Sequence, residues 1–264
     1  MDDIYDLNVA PRMIFQGIVA TVMVFGAGIY IHDLGNLLSF GNVDIGSYGM
    51  IFTMLACITA INAFNMIDGI DGLAGSMSII TILSVAILTL VNSNSSDILL
   101  PLILVVAIIP YLFYNVSTRN PRGKKIFMGD AGSMFMGLTA IWLLTLGSQN
   151  TVHSEAVFRP VTALWIIAIP LMDMFAIMIR RIRKGISPFK ADNGHLHHIC
   201  MRLGLSSRQA LWVISALSTG LALVGIIGEY YVVPEWVMVA AFVAVFIADS
   251  FALQHAWKFI RALK

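Results

Sequence analysis

The chain has 264 residues, 58% of them hydrophobic and 12% charged, with a net charge of +1 and a mean hydropathy of +0.85. A soluble core of this size cannot bury so much apolar side chain, which excludes an ordinary soluble domain and points to a multi-pass membrane protein. No nucleic-acid partner is expected.

Apolar runs fall at 13–31, 47–64, 76–91, 99–116, 133–148, 161–179, 209–228 and 235–254. At ~1.5 Å per residue each crosses most of a bilayer. None alternates apolar with polar residues as a barrel strand would, so the expected fold is an all-α polytopic membrane protein of about eight transmembrane helices, forming one domain over 1–264. Two of the runs, 76–91 and 133–148, are short. Of the sixteen Lys and Arg, all but Arg159 then lie in the alternate segments 2–12, 65–75, 117–132, 180–208 and 255–264. This skew places those segments on the cytoplasmic side. Residues 1–12 are acidic and polar and do not read as a signal peptide. Cys57 and Cys200 offer no disulfide framework.

Four stretches on the inner face carry chemistry. The first is DDIYD, with Asp2, Asp3 and Asp6. Adjacent carboxylates repel, so they bind a cation, bind a cationic ligand, or raise one another's pKa until one serves as a base near neutral pH. A solvated acidic terminus is the plainer alternative. The second is NAFNMIDGIDGLAG, residues 62–75. On one helix it would gather Asn62, Asn65, Asp68, Asp71 and three glycines on one side, with open space for a ligand beside the carboxylates. A helix end with glycine terminators would leave those two carboxylates unexplained.

The third stretch, FMGDAGSMFMG over 127–137, reads as a loop entering a helix, with Asp130 between glycines and Ser133 able to cap the next span. The fourth, 187–210, contains His195, His197 and His198, with Arg202 and Arg208 nearby. A zinc site would need Cys200 as fourth ligand and lacks the paired spacing of known fingers. Anion binding or proton transfer suits the segment better. Asp173 stands inside a span, where a charge costs roughly 2.5–3.5 kcal/mol on insertion scales, so it is expected to face the bundle interior.

Aspartates and asparagine are hard oxygen ligands for Mg2+, which commonly bridges protein to substrate phosphates, and basic side chains and imidazoles balance the remaining phosphate charge. A membrane-buried site suggests a lipid as one substrate. The chemistry indicated is transfer of a phosphate-linked group between a nucleotide-activated donor and a lipid phosphate.

In order and spacing these four stretches resemble the motifs of the polyprenyl-phosphate N-acetylhexosamine-1-phosphate transferases, over nearly the whole chain. The resemblance implies that a UDP-N-acetylhexosamine donates its sugar 1-phosphate to undecaprenyl phosphate in the bacterial inner membrane, releasing UMP and leaving a lipid diphospho-sugar for cell-envelope polysaccharide. The HLHH form is similar to the WecA-type branch, which uses UDP-GlcNAc; the branch making the first lipid intermediate of peptidoglycan has three consecutive histidines there. Carried over by motif, Asn65 and Asp130 hold Mg2+, with Mn2+ as a substitute. Asp2 and Asp3 form the catalytic pair, with Asp68 beside them. Asp6 and Asp71 line the substrate pocket, Phe127 lies against uracil, Asn115 reaches the uridine, and His195, His197, His198 and Arg202 hold diphosphate or sugar.

Two departures accompany the resemblance. Family members carry further spans and a loop before DDxxD, so a longer protein truncated at its N-terminus is expected, and Asn193 stands where related sequences often place arginine. A homodimer is left open. Two other classes compete. An intramembrane prenyltransferase would share Asp-rich motifs but not FMGDAGS or HLHH, and a transporter would gather its polar groups near the bilayer midplane.

Overall fold

The computed structural model describes residues 9–92, 98–116, 126–151, 155–187 and 194–263. Among them every named element is helical, and an isolated bridge between Asp33 and Asp44 is the one β pairing. In chain order the helices are α1 (Val9–Thr21, continuing into a π turn, Val22–Gly26), α2 (Tyr48–Ile67), α3 (Leu73–Asn92), α4 (Leu99–Val116), α5 (Gly129–Ser148), α6 (Pro160–Ile166), α7 (Ala168–Arg183), α8 (Leu196–Arg202), α9 (Ser207–Tyr230) and α10 (Glu235–Leu263).

Among the described residues six helices are long and apolar enough to cross a membrane, and a seventh if α6 and α7 count as one bent span. The expected eight are not reached, for two local reasons. The run 13–31 stays helical only to Gly26; Gly28 follows at φ +67, and the chain then ties itself to its neighbours through Ile31 N–H to Thr53 Oγ1 and His32 N–H to Gln149 Oε1. The run 161–179 breaks at Ile167 with a 77° bend. Pro170 has no N–H to give the carbonyl of Ile166, and its ring crowds that carbonyl. The two short runs are full-length helices, because Leu73–Ala74–Gly75 and Gly129–Asp130–Ala131–Gly132 are helical as well.

Packing centres on α2, α3 and α5, where Phe64, Ile67, Leu73, Met77 and Leu144 are fully buried. Helices α4, α9 and α10 lie outside with most of their apolar surface uncovered, as helices that meet lipid do. The most extensive pairing joins α2 and α5, which run antiparallel. Gly137 sits at their crossing: a Cβ there would lie 2.7 Å from the Ala60 carbonyl oxygen and from Ile61 Cα. In an apolar solvent such close approach is what holds two helices together.

This antiparallel pairing produces two polar ends about 30 Å apart, the length of a 20-residue helix. At one end Gln149 receives the N–H groups of His32 and Asp33, and Arg159 is spent on Glu229 and on the carbonyls of Gly228 and Val233. The other end holds Asn65 and Asp130. Arg159, the one basic residue set apart by the charge pattern, thus lies at the end opposite Asn65, Asp130 and the Arg12 that pairs with them.

Gly137→Ala is expected to lower stability by about 1–3 kcal/mol, because the new methyl meets backbone rather than a mobile side chain. Gly220→Ala on α9, where a Cβ meets nothing within 4 Å, is expected to leave stability unchanged or slightly higher. Thermal unfolding in detergent separates the two, and equal effects would contradict the close-packing account.

Candidate active site

The second stretch is not one helix. Helix α2 ends at Ile67, Asp68 takes the C-cap position with φ −73 and ψ 59, and Gly72 at φ +81 turns the chain into α3. A left-handed residue of this kind favours glycine, and a side chain there would also strike Val116. Asp68 and Asp71 consequently sit on a loop between two spans. Asn62 falls a turn below, where it donates to Gln16 Oε1 at 2.7 Å and to the Ile58 carbonyl, tying α1 to α2 and leaving the carboxylate cluster to others.

The third stretch enters its helix earlier than expected. Gly129, at φ +64, turns the loop so that α5 already begins there and Asp130 occupies the first turn. Ser133 is therefore not a cap. It is buried inside the helix, its hydroxyl donating to the Asp130 carbonyl and accepting from Asn65 Nδ2 at 3.0 Å. Asn65 Nδ2 also donates to Asp130 Oδ1 at 3.1 Å. Arg12, from the start of α1, completes the cluster: its Nη2 lies 2.8 Å from Asn65 Oδ1 and 3.3 Å from Asp130 Oδ2. Three elements far apart in sequence thus share one group of oxygens. The sequence marked Arg12 only as a charge that orients the first span.

Burial, then the neighbouring carboxylates of Asp130 and Asp71, pushes Asp68 up to about 6. Such crowding of negative charge is relieved by any cation placed among them. No three of His, Cys, Asp and Glu among the described residues stand together as a self-sufficient metal site. A cation here would draw on Asn65, Asp130 and oxygens brought by a ligand.

The histidine segment reaches the same place. Helix α8 carries His197 directly over Gly69, between Asp68 and Asp71, so closely that a side chain at Gly69 would collide with the imidazole. The rings of His197 and His198 lie 4.1 Å apart and those of His195 and His197 are nearly parallel at 5.7 Å. Burial first, then His198 and His195, lowers His197 to about 4, against the opposing pull of Asp173. His197 is accordingly a neutral ring near pH 7. Burial pushes the Cys200 thiol up, which disfavours the thiolate that zinc requires. Asp173 faces the bundle interior as expected, 3% exposed, and holds His195 Nδ1 at 2.7 Å.

The loop residues divide. Phe127 is 74% exposed and offers a free aromatic face beside Asp130 in sequence. Asn115 is buried at the end of α4, its amide donating to the Ile126 carbonyl at 2.6 Å, so that it braces the residue before Phe127; its Oδ1 finds no partner among the described residues. Arg202 occupies the last turn of α8, and Arg208 donates to the Val116 carbonyl at the end of α4. Asp2, Asp3, Asp6 and Asn193 lie outside the described residues.

The sequence model of glycosyl transferase family 4 matches residues 1–148. The undecaprenyl-phosphate alpha-N-acetylglucosaminyl 1-phosphate transferase of Yersinia pestis is 43% identical over 265 residues, which cover 100% of this chain and 72% of that protein. The protein of the same name from Haemophilus influenzae is 43% identical, covering 99% and 73%. That from Escherichia coli K12 is 41% identical, covering 100% and 71%. Similarity at this level along the full chain, with the family model matched over residues 1–148, means that the chain belongs to glycosyl transferase family 4.

Proposed function

We propose that this protein transfers N-acetylglucosamine 1-phosphate from UDP-GlcNAc to undecaprenyl phosphate, on the cytoplasmic side of a bacterial inner membrane, as a step in making cell-envelope polysaccharide such as lipopolysaccharide O-antigen. The observation that carries the reading is the meeting of Asn65, Asp68, Asp71, Asp130 and the three histidines at one end of an apolar bundle. A transporter would want these groups near the midplane instead.

Asn65 Oδ1 and the Asp130 carboxylate fit Mg2+, a hard cation that takes one or two carboxylates and completes its shell with water and substrate phosphates. That both oxygens already receive the Arg12 guanidinium supports their suitability for positive charge. Bound there, Mg2+ would supply charge neutralisation on the diphosphate of the donor. The protein's own groups do the rest. Phe127 stacks on uracil, and Asn115 keeps its loop in place. His195, His197 and His198 hold the diphosphate and sugar, with His197 acting as a neutral hydrogen-bonding ring. Asp68 and Asp71 border the pocket between metal and histidines.

In the reaction an oxygen of the lipid phosphate attacks the β-phosphorus of UDP-GlcNAc. The bond from that phosphorus to the bridging oxygen breaks, and UMP leaves with the electron pair. A phosphate monoester is mostly ionised near pH 7, its second pKa being about 6, so the lipid phosphate needs no strong base and attacks directly. Asp2 and Asp3, as the catalytic pair, then need only take up the remaining proton of the lipid phosphate. A phospho-enzyme trapped at either aspartate would overturn direct attack.

With undecaprenyl phosphate, Mg2+ and radiolabelled UDP-sugars, label from UDP-GlcNAc is expected to enter lipid; preferential entry from UDP-GalNAc would replace the donor assignment. EDTA should stop turnover and excess Mg2+ restore it. Asp130→Ala is expected to lose at least about 100-fold in rate, since a metal's charge stabilisation is worth several kcal/mol; Mg2+-dependent turnover near the wild-type rate would count against the ligand assignment. Gly69→Ala should cost about 100-fold in kcat/KM through displacement of the His197 ring, and an unchanged kcat/KM would dissociate the histidines from the site.

A further inference from the structure

Asp173 is buried at 3% exposure in α7, a helix otherwise packed through Ile169, Met172, Ala176 and Ile177. Keeping a carboxylate there is costly, and it is spent on a single segment. Oδ2 lies 2.7 Å from His195 Nδ1, and Oδ1 accepts the N–H of Leu196 at 2.8 Å. His195 stands at the N-cap of α8 and Leu196 is that helix's first residue. Seven residues further along α7, on the same face, the Arg180 guanidinium fills the space a side chain at Gly194 would need. Helix α7 thus seats residues 194–196 at two points.

Resting on the transferase reading, we infer that Asp173 is a positioning residue for that reaction: it fixes the tautomer and ring orientation of His195 and the entry of α8, and thereby the stack that presses His197 onto Gly69. An ionised carboxylate only accepts hydrogen bonds, so His195 Nδ1 carries a proton whether the ring is neutral or charged. Nε2 is left as the ring's one hydrogen-bonding atom for a ligand. The consequence travels along a continuous set of contacts. His195 lies nearly parallel to His197 at 5.7 Å, and His197 closes on the loop between Asp68 and Asp71. Rotation of His195 would move the ring beside it.

Asparagine at 173 nearly preserves shape but has one accepting oxygen. If that oxygen keeps the Leu196 N–H, the amide NH2 faces His195 and forces Nδ1 to become an acceptor, moving the proton to Nε2. A purely structural Asp173 would not tie activity to that tautomer.

The test uses the protein in nanodiscs with 15N-labelled histidine, the His195 signal being assigned by its loss in His195→Gln. At alkaline pH the wild type is expected to show His195 as the Nδ1–H tautomer, and Asp173→Asn to shift it toward Nε2–H. The kcat should fall by about 10- to 100-fold, the usual cost of losing an orienting partner of a functional histidine, while the unfolding temperature is retained. In the His195→Gln background, Asp173→Asn should change kcat by less than about 3-fold, since two residues acting as a unit are not additive. An Nε2–H wild type, an unchanged tautomer in Asp173→Asn, or multiplying effects in the double variant would each overturn the inference. Should Asp173→Asn fail to fold, the wild-type tautomer alone decides. If wild-type protein moves no sugar phosphate to lipid, the transferase reading fails, while the tautomer and its switch still report on what Asp173 does to His195.

Discussion

Everything at the candidate site depends on the close antiparallel crossing of α2 and α5. Gly137 lets the two backbones touch at Ala60 and Ile61, and the helices, each 20 residues long, then lie along one another to their ends. The last turn of one meets the first turn of the other. Asn65 and Asp130, 65 positions apart in sequence, are therefore hydrogen-bonded neighbours. A bulkier residue at the crossing would spread the helices and separate those oxygens. In a bilayer, where water does not drive apolar faces together, contact of this kind is what fixes such a geometry.

The second constraint is that polar groups among these helices must find partners inside the protein. Four of them act as fasteners between segments. Gln149 pins the His32–Asp33 turn, Asn115 braces the residue before Phe127, Asn62 ties α1 to α2, and Asp173 carries the histidine segment. Those at one end steady the architecture; the others steady the loops that would meet substrate. The kink at Ile167 belongs to the same pattern, because Pro170 breaks the span just ahead of Asp173 and so sets the direction from which α7 approaches α8.

Much of this was legible beforehand. The places of six spans follow from apolar runs, and the membrane class follows from composition. The aspartate and histidine stretches stood out because charge is so costly in such a chain. Three misreadings have a common origin. Residues 62–75 suggested one helix, Ser133 suggested a cap, and 161–179 suggested an unbroken span; in each case a glycine or proline decided the backbone locally, at Gly72, Gly129 and Pro170. Arg12 carried no signal beyond its charge, since nothing near it in sequence shows that α1 will lay it across Asn65 and Asp130.

By itself the sequence determined the apolar helices, the clustering of nearly all its Lys and Arg in a few stretches at the borders of the apolar runs, and the types of side chain available for phosphate and metal chemistry, because these depend only on residue identity and periodicity. Which of those side chains share a site was decided by tertiary structure. Convergence of Arg12, Asn65, Asp68, Asp130 and His197 depends on helix crossings and on a few close glycine contacts, and such contacts are set by distances between segments rather than by order along the chain.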